Sequence, residues 1–338
     1  MRCRRIVATR RGGPEVLQIV HQELPEPRAG EVRVRVLRAG VAFGDLMWQS
    51  GKVPGSPKPP YTPGYDLVGT AERLGPGVEG IEKGQMVAAL VRVGGYAESA
   101  VVPLDHLVPV PDGLDPSQVV CLTLNYLTAL QIFRHLAGVT SGKRILVHGA
   151  GGGVGTAMLE LGRLLGLEMY GTASLSKHGL VSRFGAVPID YRNEDFVARI
   201  LDLTGDGVDL VVDHIGGSHL KHSFRTLRPG GHLVSTSAYA NVTGRIGTLE
   251  TLLGMLRLPL WHLLPNRRSA RLYDVVTYSR RHPSFFRQDL AELMGYLATG
   301  QVNPVVAVQK PLEEARQAQE LLLQAKARGK VILVCDER

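Results

Sequence analysis

Residues 149–155 read Gly149-Ala150-Gly151-Gly152-Gly153-Val154-Gly155, a glycine-rich string held between two apolar segments. Before it, Ile145, Leu146 and Val147 form the continuous apolar run of a buried parallel strand. After it, Leu159, Leu161, Leu164 and Leu165 recur at helical spacing, which predicts a helix over 156–167. Between a strand and a helix, such glycines allow a tight turn, a close backbone approach to a pyrophosphate, and close packing of the helix on its strand. The helix N-terminus then faces the phosphates with unpaired N–H groups. Ala150, Gly151, Gly152, Gly153, Val154 and Gly155 are therefore the expected dinucleotide contacts.

The next strand is expected over Glu168–Thr172, and the chain continues Ala173-Ser174-Leu175-Ser176-Lys177. About 20 residues past such a turn, an NAD site presents Asp or Glu to the ribose 2′-hydroxyl, whereas an NADP site needs donors and a cation for the 2′-phosphate. Here Ser174, Lys177 and Tyr191 are available and no acid is. The expected cofactor is NADP(H).

Around this unit the pattern changes character once. From Ile6 to about Leu122, short β-runs such as Val32-Arg33-Val34-Arg35-Val36 and Met86-Val87-Ala88-Ala89-Leu90 are punctuated by glycine and proline, the pattern of a β-rich partial barrel. From about Asn125, strands and helices alternate: Val187–Asp190, a helix near 195–203, Val208–Asp213, and a strand His232–Thr236 after Arg228-Pro229-Gly230-Gly231. That is a doubly wound sheet with ligand at the strand C-termini. Pro304-Val305-Val306, a helix over 312–327 and Gly329–Leu333 return to β character.

Composition sets outer limits. At 338 residues with 44% hydrophobic side chains, the chain has room for about two domains. Cys3, Cys121 and Cys335 lie far apart, so no disulfide framework is expected and a reducing cytoplasm is the default. No signal peptide is read at the basic N-terminus. The apolar stretch Leu249–Leu264 is broken by Arg257 and Pro259 and is too short to span a bilayer, so it reads as a buried or substrate-facing helix and no membrane partner is expected. The net charge of +8 is spread over scattered arginines without interleaved aromatics, so no specific nucleic-acid binding is expected.

Several stretches in order carry a resemblance: Ala39-Gly40-Val41-Ala42-Phe43-Gly44-Asp45, Pro63-Gly64-Tyr65-Asp66-Leu67-Val68-Gly69, Gly94-Gly95-Tyr96-Ala97-Glu98, Thr128-Ala129, His148–Gly155, Ile189-Asp190-Tyr191 and Gly329-Lys330. The chain resembles the medium-chain dehydrogenase/reductase superfamily, within it the zinc-free, zeta-crystallin-like quinone oxidoreductase branch and related enoyl reductases. The resemblance implies a GroES-like catalytic domain over 1–124, a Rossmann NADP-binding domain over 125–280, and a C-terminal segment, 281–338, returning to the catalytic domain. It also implies that Thr128 lies near the nicotinamide with Tyr126 beside it, that Lys330 approaches the cofactor, and that Asp45 and Tyr65 line the cleft. A homodimer is implied, with the strand His232–Thr236 near a sheet edge. Zinc relatives carry Cys where this chain has Ala42, and His-Glu where it has Tyr65-Asp66, so neither a catalytic nor a cysteine-rich structural zinc site can be assembled.

The loop expected over Leu46–Val53 departs from many quinone oxidoreductases, with Met47 and Val53 where those carry tyrosines and Trp48 between them. The tract 244–271 is expected to add apolar wall. The expected reaction is NADPH-dependent reduction of a quinone or an α,β-unsaturated carbonyl compound, with a bulky hydrophobic enone favoured. An enoyl reductase working on carrier-bound substrates and a low-turnover NADPH-binding sensor or RNA-associated protein are the alternatives.

Overall fold

In the run Val32–Val36 the three valines are fully buried and Arg35 faces solvent, while the nearly buried Arg33 is held by Glu72 at 3.0 Å. This alternation belongs to the strand Glu31–Val41 of a computed structural model that describes residues 2–53, 55–236, 239–244, 247–261 and 267–336. The chain divides into two units, residues 1–127 with 275–338, and residues 128–274.

The first unit is built on a seven-stranded sheet in the spatial order Val306–Pro311, Lys330–Val334, Glu31–Val41, Asp66–Leu74, Met86–Leu90, Leu107–Pro109, with Ser99–Pro103 also paired to Glu31–Val41. The C-terminal strand thus inserts antiparallel beside Glu31–Val41, pairing Ile332 with Gly40 and Val331 with Val41. The core contains Val34, Leu67, Val87, Tyr96 and Leu333. The second unit is a parallel six-stranded sheet in the order Val187–Asp190, Glu168–Ala173, Arg144–His148, Val208–Asp213, Leu227–Ser235, Ser269–Leu272. Together these are a Rossmann sheet and a separate GroES-like sheet domain.

The structure refines three expectations. The strand expected over His232–Thr236 lies next to the sheet edge, and the edge itself is the shorter strand Ser269–Leu272, which has no apolar run to announce it. The loop expected over Leu46–Val53 is mostly the helix Phe43–Ser50, capped at its start by Asp45 and closed at Gly51 in the left-handed region, φ 69°. The tract Leu249–Leu264 is helical over Thr248–Trp261, and residues 262–266 lie outside the described residues, as do 245 and 246. One of its faces packs inward, with Leu258 buried and Trp261 stacked at 4.5 Å on Phe224 of the helix His219–Arg225, whereas Leu253, Leu256 and Leu260 are exposed. A further helical stretch, Pro116–Leu136, is long and apolar enough to cross a membrane, but 83% of its most apolar 18 residues are buried inside the protein, as in a core helix.

Candidate active site

The glycine turn in residues 128–274 has the geometry its sequence demands. Ile145, Leu146 and Val147 are fully buried in the strand Arg144–His148, and Gly149 leaves it with φ 68°, a conformation that disfavours a Cβ. The Gly152 N–H donates to the Gly149 carbonyl at 3.0 Å, and the helix Gly153–Leu164 starts there. A Cβ on Gly155 would stand 2.5 Å from the Gly149 oxygen, so the helix can reach the turn only with glycine at that position. Ala150 is fully buried and donates its N–H to Thr172 O at 3.0 Å, tying the turn to the next strand; Val154 is half-buried on the first helical turn.

Lys177 lies across this turn. A Cβ on Gly151 would meet the Lys177 Cδ at 2.7 Å, so the lysine stem occupies the space that the missing side chain leaves. Ser174 follows the end of the strand Glu168–Ala173, half-buried, its hydroxyl 3.3 Å from that of Ser176. Tyr191 follows the end of the adjacent strand and is 40% exposed, with the Arg192 guanidinium 5.8 Å from its ring centroid. The nearby acid, Asp190, is engaged in its own loop by Arg192 N at 3.1 Å and Asn193 Nδ2 at 2.7 Å.

Beneath the turn is a polar cluster that sequence reading missed. His148, the residue before Gly149, stands within 4.8 Å of Asp213 and His219, a grouping able in principle to hold a metal. Ser223 Oγ sits among them, donating to Asp213 Oδ2 at 2.6 Å and lying 3.0 Å from His148 Nε2 and 3.3 Å from His219 Nδ1. The hydroxyl is thus within hydrogen-bond reach of all three residues of the group. His219 Nδ1 is 2.8 Å from Asp213 Oδ2, and His148 Nδ1 is 3.0 Å from Thr172 Oγ1. Burial, with the neighbouring His219 charge, lowers the His148 imidazole to about 3. Burial would raise the Asp213 carboxyl, but His219, His148 and Ser223 together hold it well below the usual range. The sequence signal was slight: polar residues at the C-terminal ends of two buried strands.

In the other unit, Asp45 organises three of the sequence landmarks. Its carboxylate is buried and accepts from Ala42 N at 2.9 Å, Gly64 N at 2.9 Å and Tyr96 Oη at 2.8 Å. Gly64, at φ 112°, is packed so closely on Gly95 that a Cβ would stand 2.6 Å from the Gly95 Cα. Asp45 thus joins the helix start, the Gly64 turn and the Tyr96 strand approach. Burial pushes its carboxyl up to about 7 against the pull of these donors. Tyr65 is buried with its ring against Gly44, where an added Cβ would meet the ring at 2.9 Å. Lys330 pairs with Asp66 at 2.7 Å, outside the angles of a directed hydrogen bond, and both are buried. Gly40 makes room for that pair, since a Cβ there would stand 2.1 Å from Asp66 Oδ2.

Tyr126 and Thr128 lie on the helical stretch Pro116–Leu136, both buried. Tyr126 ends a π-helical turn, Leu122–Tyr126, an irregularity that often marks functional positions.

Residues 28–112 match the alcohol dehydrogenase GroES-like domain, and residues 184–333 match a family described as zinc-binding dehydrogenase. The quinone oxidoreductase of Rattus norvegicus is 32% identical over 96% of this chain and 95% of its own length. The chain belongs to the medium-chain dehydrogenase/reductase superfamily. The synaptic vesicle membrane protein VAT-1 homolog-like protein of Homo sapiens is 29% identical over 98% of this chain and 80% of its own. The structure of Escherichia coli quinone oxidoreductase complexed with NADPH aligns with a TM-score of 0.87 and 26% identity, over 98% of this chain and 99% of that one. Zinc does not fit the site of this member: Ala42 offers no ligand atom, the Tyr65 ring is packed on Gly44, and Asp66 is held by Lys330.

Proposed function

We propose that this protein is a zinc-independent oxidoreductase that uses NADPH to reduce quinones or α,β-unsaturated carbonyl compounds. The observation that carries the reading is the Lys177 stem laid over Gly151 beyond a strand end without a carboxylate. The cofactor is NADP(H), which supplies the hydride when bound. The turn from Ala150 to Gly155 and the N-terminus of the helix after it receive the pyrophosphate. Ser174 and Lys177 donate to the 2′-phosphate, and Tyr191 flanks the adenosine end. Thr128 and Tyr126 line the nicotinamide region from the helix they share. Without a metal to stabilise the oxygen of the accepting carbonyl, hydride addition to an electron-poor C=C bond or a quinone is the fitting reaction, with donors such as the Tyr65 hydroxyl meeting the developing charge. Asp45 and Lys330 act as positioning residues, the first through Tyr96 and Gly64, the second through Asp66. A homodimer belongs to this reading, with the terminal strand Ser269–Leu272 and its exposed Leu272 as the pairing edge.

The test is cofactor oxidation with NADPH and NADH against quinones, free enones and carrier-bound enoyl thioesters. The expected result is preference for NADPH with free quinones or enones. In Lys177→Ala, the KM for NADPH should rise roughly 10- to 100-fold, the loss expected for one charge-assisted contact, with NADH kinetics little changed. A parent enzyme that prefers NADH, or a variant whose NADPH to NADH ratio is unmoved, defeats the 2′-phosphate assignment. Turnover only with carrier-bound thioesters selects the enoyl reductase instead.

A further inference from the structure

The unit formed by residues 1–127 and 275–338 holds two adjoining cavities on residues the reductase reading does not use. The smaller, about 190 Å³, lies where the short turn Leu104–His106 meets the helices Val275–Arg281 and Pro283–Ala298. Its polar wall is His106, Ser279, Arg280 and Arg287, with Asp105 at the rim. The larger, about 540 Å³, shares Asp105 and Arg287 with it and continues along Ile81, Leu104, Leu107 and Pro109.

Three features of the smaller cavity point to an anionic head group. Ser279 is 5% exposed, and its buried hydroxyl has no hydrogen-bond partner among the described residues. The arginines at 280 and 287 are both exposed and, among the described residues, neither is paired with an acid. The first turn of the 16-residue helix Pro283–Ala298 forms part of the wall, through Pro283, Phe286 and Arg287, and contributes the positive end of the helix dipole. Two acids set a limit on the charge that fits. Asp105, 3.8 Å from His106, stands at the rim with its side chain 69% exposed, and Glu79 lies along the larger cavity. They oppose a polyanion and suit a head of single charge. The larger cavity is lined mainly by apolar side chains, which suits a hydrocarbon tail.

We propose that these joined cavities bind a linear aliphatic carboxylate, its head at Ser279 between Arg280 and Arg287 and its tail along Ile81, Leu104 and Leu107. Planar guanidinium forks match a carboxylate, and the Ser279 hydroxyl, buried and without a partner among the described residues, supplies a third donor. None of the lining residues belongs to the glycine turn or to the Asp45 cluster, so this is a second ligand site and not part of the proposed reaction.

Isothermal titration of the intact protein with butanoate, octanoate, decanoate, decanol and decyl phosphate tests this. Decanoate should bind saturably, one per chain, and roughly tenfold or more tighter than butanoate, because each added methylene buries apolar surface. Decanol, lacking the head, should bind at least about tenfold more weakly than decanoate. The double variant Arg280→Gln/Arg287→Gln should lose about tenfold or more in decanoate affinity while keeping its melting temperature, since both side chains are exposed. Ser279→Ala removes only a hydroxyl without a partner, so it should fold as the parent does and also bind decanoate more weakly. Absence of saturable decanoate binding, or equal binding in the double variant, overturns the proposal. Tighter binding of decyl phosphate than of decanoate overturns the carboxylate assignment.

Discussion

Asp45 shows what a single residue contributes here. Above pH 7 the ionised Asp45 carboxylate accepts from all three of its donors, whereas an amide in its place turns an NH₂ toward a backbone N–H. Asp45→Asn should therefore lower the stability of its unit by about 1–3 kcal/mol, the cost of a buried donor left without an acceptor. Tyr96→Phe removes one donor and leaves the two backbone bonds, so it should cost about 1 kcal/mol. Denaturant unfolding of both variants checks this, and an Asp45→Asn protein as stable as the parent would show that the carboxylate does not brace the three segments. Asp45 and Tyr96 both lie in stretches that carried the resemblance, but nothing in the sequence linked them, since they stand 51 residues apart in the chain. A bond between distant residues leaves no local spacing to read. Lys330 is similar: its position could be found by resemblance, while its commitment to Asp66 became visible only when strand Lys330–Val334 was placed beside Glu31–Val41.

At the level of elements, the strand–turn–helix around Gly149 was legible because every part of it has a local signature: an apolar run, the glycines and a helical leucine period. The two helix glycines Gly155 and Gly179 separate the effect of position from that of residue type. Gly155→Ala places a methyl 2.5 Å from the Gly149 carbonyl and 2.6 Å from Ala150. The turn must then move away from its helix, and NADPH affinity, read by fluorescence titration, should fall roughly tenfold or more through the displaced phosphate donors. Gly179→Ala, in the helix His178–Arg183, meets nothing within 4 Å and should stabilise the protein by about 0.5–1 kcal/mol through helix propensity alone. Equal nucleotide affinity in the two variants would remove the close-packing role given to Gly155. The elements that sequence reading missed lack such signatures. Ser269–Leu272 is four residues with no apolar run, the helix Phe43–Ser50 depends on a cap supplied by its own third residue, and the helical stretch Pro116–Leu136 straddles the boundary where the pattern changes from β-rich to alternating.

Across the whole molecule, the two units carry opposite responses to acid. In residues 128–274, burial lowers His148 to about 3 and His214 to about 4, against an ordinary 6.5. Both are neutral when folded and take up protons on unfolding, so their contribution to stability is lost as pH falls below 6.5. Between pH 7.5 and 5 this is about 2 kcal/mol for each, at 1.36 kcal/mol per pH unit. Asp213, held low by its partners, adds to the loss only below the ordinary carboxylate value of 3.8. In the other unit the dominant buried groups act the opposite way. Asp45 is pushed up to about 7 and Asp66 is raised by burial despite Lys330, so the folded state binds these protons more tightly than the unfolded chain does. Acidification from pH 7 toward 4 therefore favours this unit, opposed in part by His106, which burial lowers. Amide hydrogen exchange at pH 7.5 and pH 5, corrected for the intrinsic rate, should show protection falling in the strands Arg144–His148 and Val208–Asp213. Protection in Glu31–Val41 and Asp66–Leu74 should be held or increased. Parallel loss in both sheets would mean that Asp45 and Asp66 are ionised in the folded state at pH 5. In His148→Asn, which has no imidazole to charge, the acid loss in the parallel sheet should shrink by about half.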